Sequence, residues 1–533
     1  MEINFLTSLS DNIRIDREKC TACGRCAEIC VLDNLRLQLS PCREACPMGM
    51  NCQEYVRLLA RGKADQALEK IREATPFGGI LGRVCSKPCE AACNRTQVDG
   101  QGVAIRDLKR YLTDQDPLPW CSPIAEEKPM KVAIVGAGPA GLSAAFFLRR
   151  QGFRIALYDK ESAPGGLMRW AIPEFRLPQE VLDRELSFLQ TMGIDFHGGY
   201  LLGKELELEK LEREFDAILL ATGAHGPVRL GVPGENHPGV LPVLEFMKQV
   251  RRKKPPTLGS RVVVIGGGNA AVDAAQTAWR LGAQKVQVVS LEKKEEMPAF
   301  PWSVAEAEEE GVLFLNGWGP MEFHAEKGRL LLVRLKQCLS VFDPQGNFQP
   351  SYDEKHTMDL PADTVILAIG QKGDGSWLAP NMKKDGSPRF DPLTLQTPRE
   401  KIFLAGDFLR GPKTLVEAMA QGKEAAQSIG RFLLGESLDY GRGNGSPWEL
   451  HFEMDLTKAQ PRPRQSMPQR AVSQRRNFDE VALGFGKGEA QAEAERCLNC
   501  GIPVGLRTCW FCLPCEIECP EEALYVEIPY LLR

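Results

Sequence analysis

The sequence predicts an α/β protein made of two Rossmann-like dinucleotide-binding domains, one inserted in the other, with a helical cysteine-rich domain and small cysteine-rich modules. Three observations predict this architecture. Short β-branched runs alternate with glycine turns and helical patterns over residues 126–436. A glycine loop follows such a run twice. All cysteines except Cys121 and Cys338 lie within 20–93 and 497–519.

Composition and charge exclude several classes of protein. The net charge of −4 and the pI near 6.1 argue against general binding to nucleic acid or to a membrane surface. No apolar run approaches about eighteen residues, so no membrane insertion is expected. The start of the chain lacks the pattern of a signal peptide, and we expect a cytoplasmic protein. Closely spaced cysteines in a reducing compartment indicate metal or iron–sulfur ligation rather than disulfides.

The first glycine loop follows the strand pattern KVAIV and opens a helix. Gly136 permits the tight turn, Gly138 lets a pyrophosphate approach the backbone, and Gly141 allows close helix–strand packing. The helix N-terminus then faces the phosphates, whose charge it stabilises. Asp159, at the end of the next strand, is placed to bind a ribose hydroxyl. The predicted site also includes Pro139, Ala140, Lys160 and, at the strand end 217–225, Gly223.

A later segment indicates that this dinucleotide is FAD. The strand KIFLA ends in Gly406 and Asp407, and a helix begins near Thr414 and Leu415. In flavoproteins with two dinucleotide domains, an aspartate here binds the ribityl or phosphate region of FAD. The helix N-terminus points at the flavin edge that gains charge on reduction. The alternative is a structural aspartate in a turn.

The second glycine loop repeats the pattern in RVVVIGGGNAAVDAA. Gly266, Gly268 and Ala271 fit GxGxxA between a strand and a helix, and this motif predicts the nicotinamide site. A second unit inserted between halves of the first is typical of flavin/nicotinamide disulfide reductases. The remaining candidate residues are Asn269, Ala270 and, at the strand end 365–371, Gly370.

Longer motifs make the resemblance more specific. The segments PGGLMRWAIPEFRLP (164–178), GGGNAAVDAA (266–275), EEMPA (295–299) and GRVCSKPCEAACNR (82–95) resemble the glutamate synthase small-subunit family. That family includes the N-terminal part of dihydropyrimidine dehydrogenase and the large subunit of NADH-dependent ferredoxin:NADP oxidoreductase. The resemblance covers roughly residues 42–436. It implies that FAD is bordered by Gly165, Gly166, Leu167 and Arg169.

The residues after the second strand bear on the choice of nicotinamide. The resemblance implies two arginines at positions 291 and 292 in members that use NADPH, but Leu291 and Glu292 stand there. A carboxylate would repel a 2′-phosphate and can bind a free 2′-hydroxyl, so NAD(H) is favoured over NADP(H). Two alternatives stay open: Lys293 and Lys294 rescue NADP binding, or Glu292 is a solvated carboxylate without effect.

Each end of the chain carries a ferredoxin-type cysteine array. The first array has the spacing CxxCxxCxxxC, and the second has it followed by proline. Three thiolates on a tight loop bind three irons of one [4Fe–4S] cluster, and the fourth closes the same cluster or a neighbouring one. Zinc is the alternative. The predicted ligands are Cys20, Cys23, Cys26 and Cys30, and Cys509, Cys512, Cys515 and Cys519.

The middle array resembles the two-cluster helical domain of the family, which implies ligands at Cys42, Cys46, Cys85, Cys89 and Cys93. The CxxC that precedes it in the family is missing here, but Cys497 and Cys500 form such a pair near the C-terminus. Our hypothesis is that this pair folds back to complete one cluster with Cys42 and Cys93. The usual fourth ligand of the other cluster aligns with Lys109, a poor ligand, so Cys52 is the nearest substitute. The chain then holds four clusters, or three if Cys52 is a buried apolar residue.

Together these sites predict an NAD(P)H-dependent iron–sulfur flavoprotein oxidoreductase. Hydride transfer between nicotinamide and flavin needs no catalytic side chain, and single electrons then pass through the clusters. The leading interpretation is an electron-transfer subunit that exchanges electrons with ferredoxin or other redox subunits, including those of a flavin-based bifurcating complex. The alternatives are a stand-alone NAD(P)H:acceptor reductase, a glutamate synthase small subunit feeding an amidotransferase, and a cluster scaffold with an inactive nicotinamide site.

Composition changes give the expected domain boundaries. The Pro- and Arg-rich stretch PRPRQSMPQRAVSQRR is typical of a linker on the surface. The basic run 251–254 is interpreted as another solvated linker, or as a docking site for an acidic partner. The two ferredoxin-like arrays suggest that electrons enter and leave through opposite termini. The predicted segments are ferredoxin-like modules at 1–36 and 489–533, a helical cluster domain at 37–125, the FAD-binding domain at 126–238 and 376–436, the NAD(P)-binding domain at 239–375 and a linker at 437–488.

Overall fold

The computed structural model describes most of the chain. Cys121 and, in the N-terminal segment tested for a signal peptide, residues 1–11 and 17 lie outside the described residues. None of the described helices combines the length and apolar character needed to cross a bilayer. The described residues are 12–16, 18–31, 35–116, 122–378, 382–383, 387–411, 413–440, 442, 449–450, 456–457, 459–505, 509 and 512–527.

The first dinucleotide domain is built on a sheet of five parallel strands. Its central strand is buried on both faces, as expected for a parallel sheet covered by helices. The 20-residue helix Leu415–Leu434 crosses the helix of the first glycine loop. The strands, in spatial order, are Ile402–Leu404, Ala217–Leu220, Lys131–Val135, Arg154–Asp159 and Asp195–Gly198. The helices are Pro139–Arg150, Leu167–Trp170, Gln179–Leu186, Phe188–Thr191, Leu208–Glu214, Asp407–Arg410 and Leu415–Leu434.

The second dinucleotide domain repeats this plan and is inserted in the first, because strand Ile402–Leu404 of the first sheet follows it in the chain. The α/β class with two Rossmann-like domains is therefore confirmed. The paired strands Gly226–Pro227 and Gln371–Lys372 connect the two domains. The parallel strands, in order, are Leu313–Asn316, Lys285–Ser290, Arg261–Ile265, Thr364–Leu367 and Val240–Pro242. The helices are Val243–Arg251, Asn269–Arg280 and Pro301–Glu309, and an antiparallel sheet contains Trp318–Glu326, Arg329–Phe342 and Phe348–Pro361.

The helical cluster domain packs its apolar faces around one core. Two helices lie between residues 52 and 74, because the chain turns at Arg61 and Gly62, where glycine adopts a φ of 74°. The helices are Pro41–Glu44, Cys52–Ala60, Ala64–Ala74, Gly78–Val84, Pro88–Ala91, Thr96–Asp99 and Ile105–Asp114.

The two ends of the chain form one ferredoxin-like unit rather than two separate modules. Strand Ile13–Ile15 pairs in antiparallel fashion with Leu524–Val526, and helix Arg25–Ile29 contacts helix Pro514–Ile517. Their apolar residues share a small core. A second small sheet joins Glu449–Leu450, Leu35–Gln38 and Ile502–Gly505. The two terminal cysteine arrays therefore lie side by side, and the expectation that electrons enter and leave through opposite termini stays a prediction.

The segment 459–486 is a strap that contacts three domains, and not only a surface linker. The Val481 N–H donates to the Phe175 carbonyl of the first dinucleotide domain at 3.0 Å. Glu480 pairs with Arg83 of the cluster domain at 2.8 Å. Phe485 is buried in the core of the cluster domain. The polar composition concealed these apolar anchors, which hold the strap against the domains.

The basic run 251–254 is only partly a solvated linker, because its last three residues are exposed and its first is buried. The Arg251 side chain is 2% exposed, and its Nε donates to the Arg169 carbonyl at 2.7 Å. Arg252 pairs with Glu161 at 2.7 Å, and Lys253 pairs with Glu174. These acids belong to the first dinucleotide domain, so the run fastens the two dinucleotide domains to each other.

Candidate functional site: a dinucleotide cavity and four sets of thiols

A cavity of about 350 Å³ opens at the carboxyl ends of the strands of the first sheet, the usual ligand position in such folds. The first glycine loop, the residues 166–167 and the turn at 406–407 form its walls. The structure therefore brings together segments that are far apart in the sequence. The predicted residues that line the cavity are Gly136, Gly138, Pro139, Ala140, Asp159, Lys160, Gly166, Leu167, Gly223, Gly406, Asp407, Thr414 and Leu415.

The glycines of this cavity allow backbone contacts that no side chain permits. A Cβ at Gly141 would lie 1.9 Å from the Gly136 carbonyl oxygen, so this glycine is required for helix–strand packing. A Cβ at Gly166 would lie 2.6 Å from the Gly138 Cα, so the two loops touch through their backbones. Gly138 itself leaves open space toward the cavity, as a pyrophosphate site needs.

Asp159 holds the first glycine loop in place. Its carboxylate accepts hydrogen bonds from the Ala137 N–H at 2.7 Å and from the Glu161 N–H at 2.8 Å. Burial raises the pKa of Asp159, and these two bonds oppose the shift. Each carboxylate oxygen keeps a second lone pair, so the side chain can still accept a ribose hydroxyl.

Charged groups of both signs lie on the Asp159 side of the cavity. Lys160, Lys248, Glu161 and His225 all line it, and Lys248 pairs with Glu161 at 2.6 Å. Burial lowers the pKa of Lys160, and the nearby Lys248 lowers it further. Burial and the two lysines lower the pKa of His225 to about 4, so this imidazole is neutral near pH 7. The Lys160 ammonium, together with the N-terminus of the helix that follows the glycine loop, favours an anionic ligand such as a diphosphate.

The opposite side of the cavity is formed by the start of helix Leu415–Leu434. Thr414 caps this helix reciprocally with Glu417. Burial raises the pKa of Asp407 to about 6, and the Lys413 N–H donates to its carboxylate at 3.3 Å. The helix dipole at this end stabilises negative charge on a bound group. This geometry is what the FAD prediction requires.

Two buried polar atoms in the cavity wall have no hydrogen-bond partner among the residues that the structure describes. They are Trp170 Nε1 and Thr222 Oγ1. Buried polar groups are nearly always hydrogen-bonded, so these atoms fit a polar ligand that the protein alone does not supply. Sequence reasoning missed both residues, because only their flanking motifs were recognisable. It also missed Tyr200, Lys248, Asp374 and Trp377.

Gly165 and Arg169, which the resemblance placed at FAD, lie behind the cavity wall. Arg169 Nε donates to the Pro164 carbonyl at 2.5 Å, and its Nη2 pairs with Asp183 at 2.6 Å. A Cβ at Gly165 would meet the Arg169 side chain at 3.0 Å. Their contacts indicate that these two residues shape the loop and do not line the cavity.

The second glycine loop has the same backbone and a different neighbour. A Cβ at Gly267 would lie 2.4 Å from Glu292 Oε2, so the Glu292 carboxylate lies directly over the loop. Burial raises the pKa of Glu292, and Glu296 adds to the shift. Lys294 pairs with Glu308 at 2.5 Å, and Lys293 is exposed.

The other residues predicted at the nicotinamide site take different positions. Asn269 Oδ1 accepts from the Phe300 N–H at 3.0 Å, which fixes the following segment against the loop. A Cβ at Gly266 would lie 2.3 Å from the Ala368 carbonyl oxygen, whereas Gly268 has nothing within 4 Å. Ala271 is buried under the loop and Ala270 is exposed. Gly370, with a φ of 114°, lies at the connection between the domains.

Among the residues described, the cysteines of the terminal arrays gather in two sets, and each array gives its fourth cysteine to the other. The ferredoxin set (Cys20, Cys23, Cys26 and Cys519) surrounds a cavity of about 20 Å³. Burial raises the pKa of Cys26, and the other three thiols raise it further. In the terminal set (Cys30, Cys509, Cys512 and Cys515), burial raises the pKa of Cys515 to about 11, with contributions from the other three. This exchange is the pattern of two-cluster ferredoxins.

The junction set (Cys42, Cys93, Cys497 and Cys500) surrounds another cavity of about 20 Å³. Its C-terminal pair does fold back onto the helical domain. Burial raises the pKa of Cys500 to about 12, and Cys497 and Cys93 add to this shift. The Asn94 amide donates to the Cys500 sulfur at 3.6 Å.

A buried polar network holds this returning loop. Arg496 is 1% exposed and pairs with Glu493 at 2.7 Å and with Asp99 at 3.0 Å. The Glu493 carboxylate also accepts from the Ala104 N–H at 2.8 Å. The Gln53 side chain accepts from the Gly501 N–H at 2.7 Å and donates to its carbonyl at 2.9 Å. Removing one partner of such a buried pair costs about 3–5 kcal/mol, so the loop is strongly fixed.

The inner set (Cys46, Cys52, Cys85 and Cys89) lies where the helical domain meets the first dinucleotide domain. Cys52 is 1% exposed. Its hydrogen bonds to Cys46 and Cys89, together with burial, raise the pKa of Cys52. Cys85 belongs to the core shared with the first dinucleotide domain. Lys109 is buried beside all four thiols.

The donor chemistry of these sets fits iron–sulfur clusters better than single ions. Each set offers four thiols, and the junction and ferredoxin sets each surround a small cavity. Within the described part of the chain, no three His, Cys, Asp or Glu side chains are arranged to hold a single metal ion. Tetrahedral zinc needs its four ligands within about 2.3 Å of one point, whereas a cluster binds one thiolate at each of its irons.

Comparison with known proteins identifies the family of the two dinucleotide domains and of the cluster domain. Residues 130–422 match the family model for pyridine nucleotide-disulphide oxidoreductases. The chain belongs to this family. Residues 12–117 match the model for dihydropyrimidine dehydrogenase domain II, a 4Fe-4S cluster domain.

Curated relatives extend the match beyond the two dinucleotide domains. The beta subunit of NADP(+)-dependent formate dehydrogenase from Moorella thermoacetica is 34% identical over 502 residues, 86% of this chain and 70% of that protein. The beta subunit of NADPH-Fe(3+) oxidoreductase from Geobacter sulfurreducens is 32% identical, over 86% of this chain and 75% of its own length. The PreT subunit of NAD-dependent dihydropyrimidine dehydrogenase from Escherichia coli O157:H7 is 34% identical, over 74% of this chain and 92% of its own.

Among solved structures, FprA from Mycobacterium tuberculosis in complex with NADPH has the same fold, with a TM-score of 0.51. It is 16% identical and aligns with 58% of this chain and 85% of its own. The oxidoreductase prediction is confirmed at the level of the family. The chain is an NAD(P)H-dependent iron–sulfur flavoprotein that transfers electrons between NAD(P)H, flavin and 4Fe-4S clusters.

Proposed function

We propose that the chain transfers electrons from NADH, through FAD, along four [4Fe–4S] clusters to a partner protein docked at the ferredoxin-like unit. The observation that carries this proposal is the order of the thiol sets, which runs from the flavin cavity to the paired termini. FAD, when bound, supplies the conversion of two-electron into one-electron transfer. The chain's own residues place the groups in sequence and exclude water between them.

The inner set stands at the flavin end of this order. Lys423, on the helix whose start lines the cavity, donates from Nζ to the Met48 carbonyl at 2.7 Å. Met48 and Cys85 pack in the same core as the first sheet. Cys46 contacts this core as well, so the first cluster after the flavin would lie against the FAD domain.

The remaining sets follow through direct contacts. Cys52 of the inner set also lines the cavity of the junction set. Asn499, between the two returning cysteines, donates to the Cys20 carbonyl of the ferredoxin set at 3.4 Å. The ferredoxin and terminal sets share the core of the paired ends. Cys512 of the terminal set is exposed, which supports electron exit to a partner there.

We propose that this partner is another redox subunit or a ferredoxin. Three of the relatives are named as subunits, which supports a role within a complex. Membership in a bifurcating complex would be a special case of this arrangement. Both ends of the chain belong to the same ferredoxin-like unit, which argues against electrons entering at one terminus and leaving at the other.

NAD(H) is the proposed nicotinamide. The Glu292 carboxylate lies over the second glycine loop, where it would repel a 2′-phosphate, and Lys294 is already paired with Glu308. The relatives include proteins named for NADP, NADPH and NAD, so the local residues must decide. We expect NADH to bleach the flavin faster than NADPH under anaerobic conditions, and equal rates would contradict the assignment.

The cluster order is tested by counting iron and by one pair of variants. We expect about sixteen irons per chain, four per cluster. Cys497→Ser should lose about four irons while flavin content and bleaching by NADH persist, because the junction set lies beyond the flavin. Cys338→Ser, outside every set, is the matched control. A parent value near twelve irons, or unchanged iron in Cys497→Ser, would overturn the four-cluster proposal.

A further inference from the structure

Lys109 is a long cationic side chain in the interior of the cluster domain. It is 4% exposed and lies on helix Ile105–Asp114. This helix contacts the helices that carry or precede Cys52, Cys85 and Cys89. A Cβ at Gly82 would lie 2.7 Å from the Arg110 Cα, so backbones touch next to Lys109. The position of the Lys109 side chain is therefore fixed by packing on several sides.

The neighbours of Lys109 are thiols rather than carboxylates. The four thiols of the inner set act electrostatically on the buried Lys109 side chain. Among the residues that the structure describes, Lys109 forms no ion pair with a carboxylate. The neighbouring arginines do form ion pairs with carboxylates: Arg106 pairs with Asp107 and Arg110 pairs with Asp114, both at 3.2 Å.

An unpaired buried ammonium costs several kcal/mol, so the inner set must supply its counter-charge. A cluster held by four thiolates is more negative than one held by three thiolates and a neutral amide. Net charge and burial are among the quantities that set the potential of an iron–sulfur cluster. The fourth thiolate and the lysine therefore have opposite effects on the same cluster.

We infer that Lys109 is a positioning residue that acts on the inner cluster through the charge of its ammonium group. This ammonium offsets the negative charge that Cys52 adds as fourth thiolate and so raises the reduction potential of the inner cluster. This inference rests on the proposed assignment of the inner set. The reduction is a transfer of one electron to the cluster, with no bond formed or broken. The ammonium stabilises the reduced state more than the oxidised state, because the reduced cluster carries one more negative charge.

The test is a redox titration of the holoprotein followed by electron paramagnetic resonance. In Lys109→Met, we expect one cluster to become at least tenfold harder to reduce, about 59 mV for a one-electron couple, while the others keep their potentials. Lys109→Arg, which keeps the charge, should stay close to the parent value. Lys87→Met is the matched control, because Lys87 lies between Cys85 and Cys89 in sequence but places its Nζ 3.9 Å from the Trp302 ring centroid.

Each outcome bears on the inference. Unchanged potentials in Lys109→Met with full iron content would overturn it, and so would an equal shift in Lys87→Met. If Lys109→Met loses iron, Lys109→Arg decides: retained iron supports the need for a charge, whereas loss in both variants makes Lys109 a packing residue. Iron content and flavin bleaching of the parent, measured on the same samples, show separately whether the proposed function itself fails.

Discussion

The two glycine loops have nearly the same backbone and very different surroundings. The first is enclosed by the loop at Gly166 and by Asp159, whose carboxylate is bound by two backbone N–H groups. The second is open beside Gly268 and carries the Glu292 carboxylate over it. The backbone N–H that hydrogen-bonds to the Glu292 carboxylate and lowers its pKa is that of Glu292 itself. An enclosed loop suits a cofactor that stays bound, and an open one suits a ligand that must leave after each turnover.

The largest expected effect comes from placing one methyl group in each loop. Gly166→Ala puts a Cβ 2.6 Å from the Gly138 Cα, at a φ of 51° and a ψ of −136° that side chains rarely adopt. We expect a cost of about 3 kcal/mol and flavin retention lower by more than about a hundredfold. Gly268→Ala meets nothing within 4 Å and should keep its flavin while raising the KM for the nicotinamide. Flavin absorbance of the purified proteins measures both, and equal flavin loss would contradict the contrast.

A second test changes the carboxylate of the open loop. Glu292→Arg exchanges repulsion of a 2′-phosphate for a charge-assisted bond, so the ratio of NADPH to NADH bleaching rates should rise about a hundredfold. Glu295→Arg makes the same change of charge on a neighbouring exposed residue and should alter the ratio little. An unchanged ratio in Glu292→Arg would mean that the carboxylate does not contact the nicotinamide ribose.

The first dinucleotide domain, which carries the enclosed loop, also contacts the cluster domain through Glu185. Its carboxylate accepts from the Gly79 and Ile80 N–H groups at the start of helix Gly78–Val84. Burial raises the pKa of Glu185 to about 7 from an ordinary 4.5. Between these values the folded protein holds a proton that the unfolded chain releases, so stability falls as pH rises from about 4.5 to 7 and is level above.

We therefore expect the folding stability of the parent to fall by about 2 kcal/mol between pH 5.5 and pH 8 because of Glu185, and Glu185→Gln to lack this contribution. Thermal denaturation of the holoprotein measures it. Glu180→Gln, an exposed change on the same helix, should keep the parent slope. A Glu185→Gln variant with the parent slope would show that another group titrates.

The smallest effect is expected where the loops differ in backbone bonding. Asp159→Asn keeps only one acceptor for two N–H donors, which costs roughly 1 kcal/mol of stability. Glu292→Gln should change stability by less than about 0.5 kcal/mol, because its carboxylate holds no other segment. The free energies of unfolding of the two variants, compared in denaturant, measure this difference, and equal losses would remove the distinction between the loops.

Most features of the fold and of the candidate site that could be predicted came from short sequence motifs. The glycine loops, Asp159, and the turn at Asp407 followed by Thr414 were recognisable because strand, turn and helix occur within a few tens of residues. The return of Cys497 and Cys500 to the middle array was inferable because a ligand pair was missing in one place and present in another. The structure brings these thiols together, and their ligand roles stay predictions.

Contacts between distant segments could not be predicted. The pairing of Ile13–Ile15 with Leu524–Val526 leaves no trace in either short strand. Arg169 turned to Asp183 because the direction of a side chain depends on neighbours that the sequence does not order in space. The same reason concealed Trp170 in the cavity wall and Arg251 under the first domain. Spacing within a motif is local information, whereas burial of a single side chain is not.

The pairing of the two ends has a consequence for biosynthesis. Cys20, Cys23 and Cys26 leave the ribosome early, but Cys519 follows only after about half a minute or more of translation. The junction and terminal sets wait for the same segment, residues 497–519. Three of the four sets therefore cannot be filled until this segment has been translated, and the early thiols must stay reduced until then.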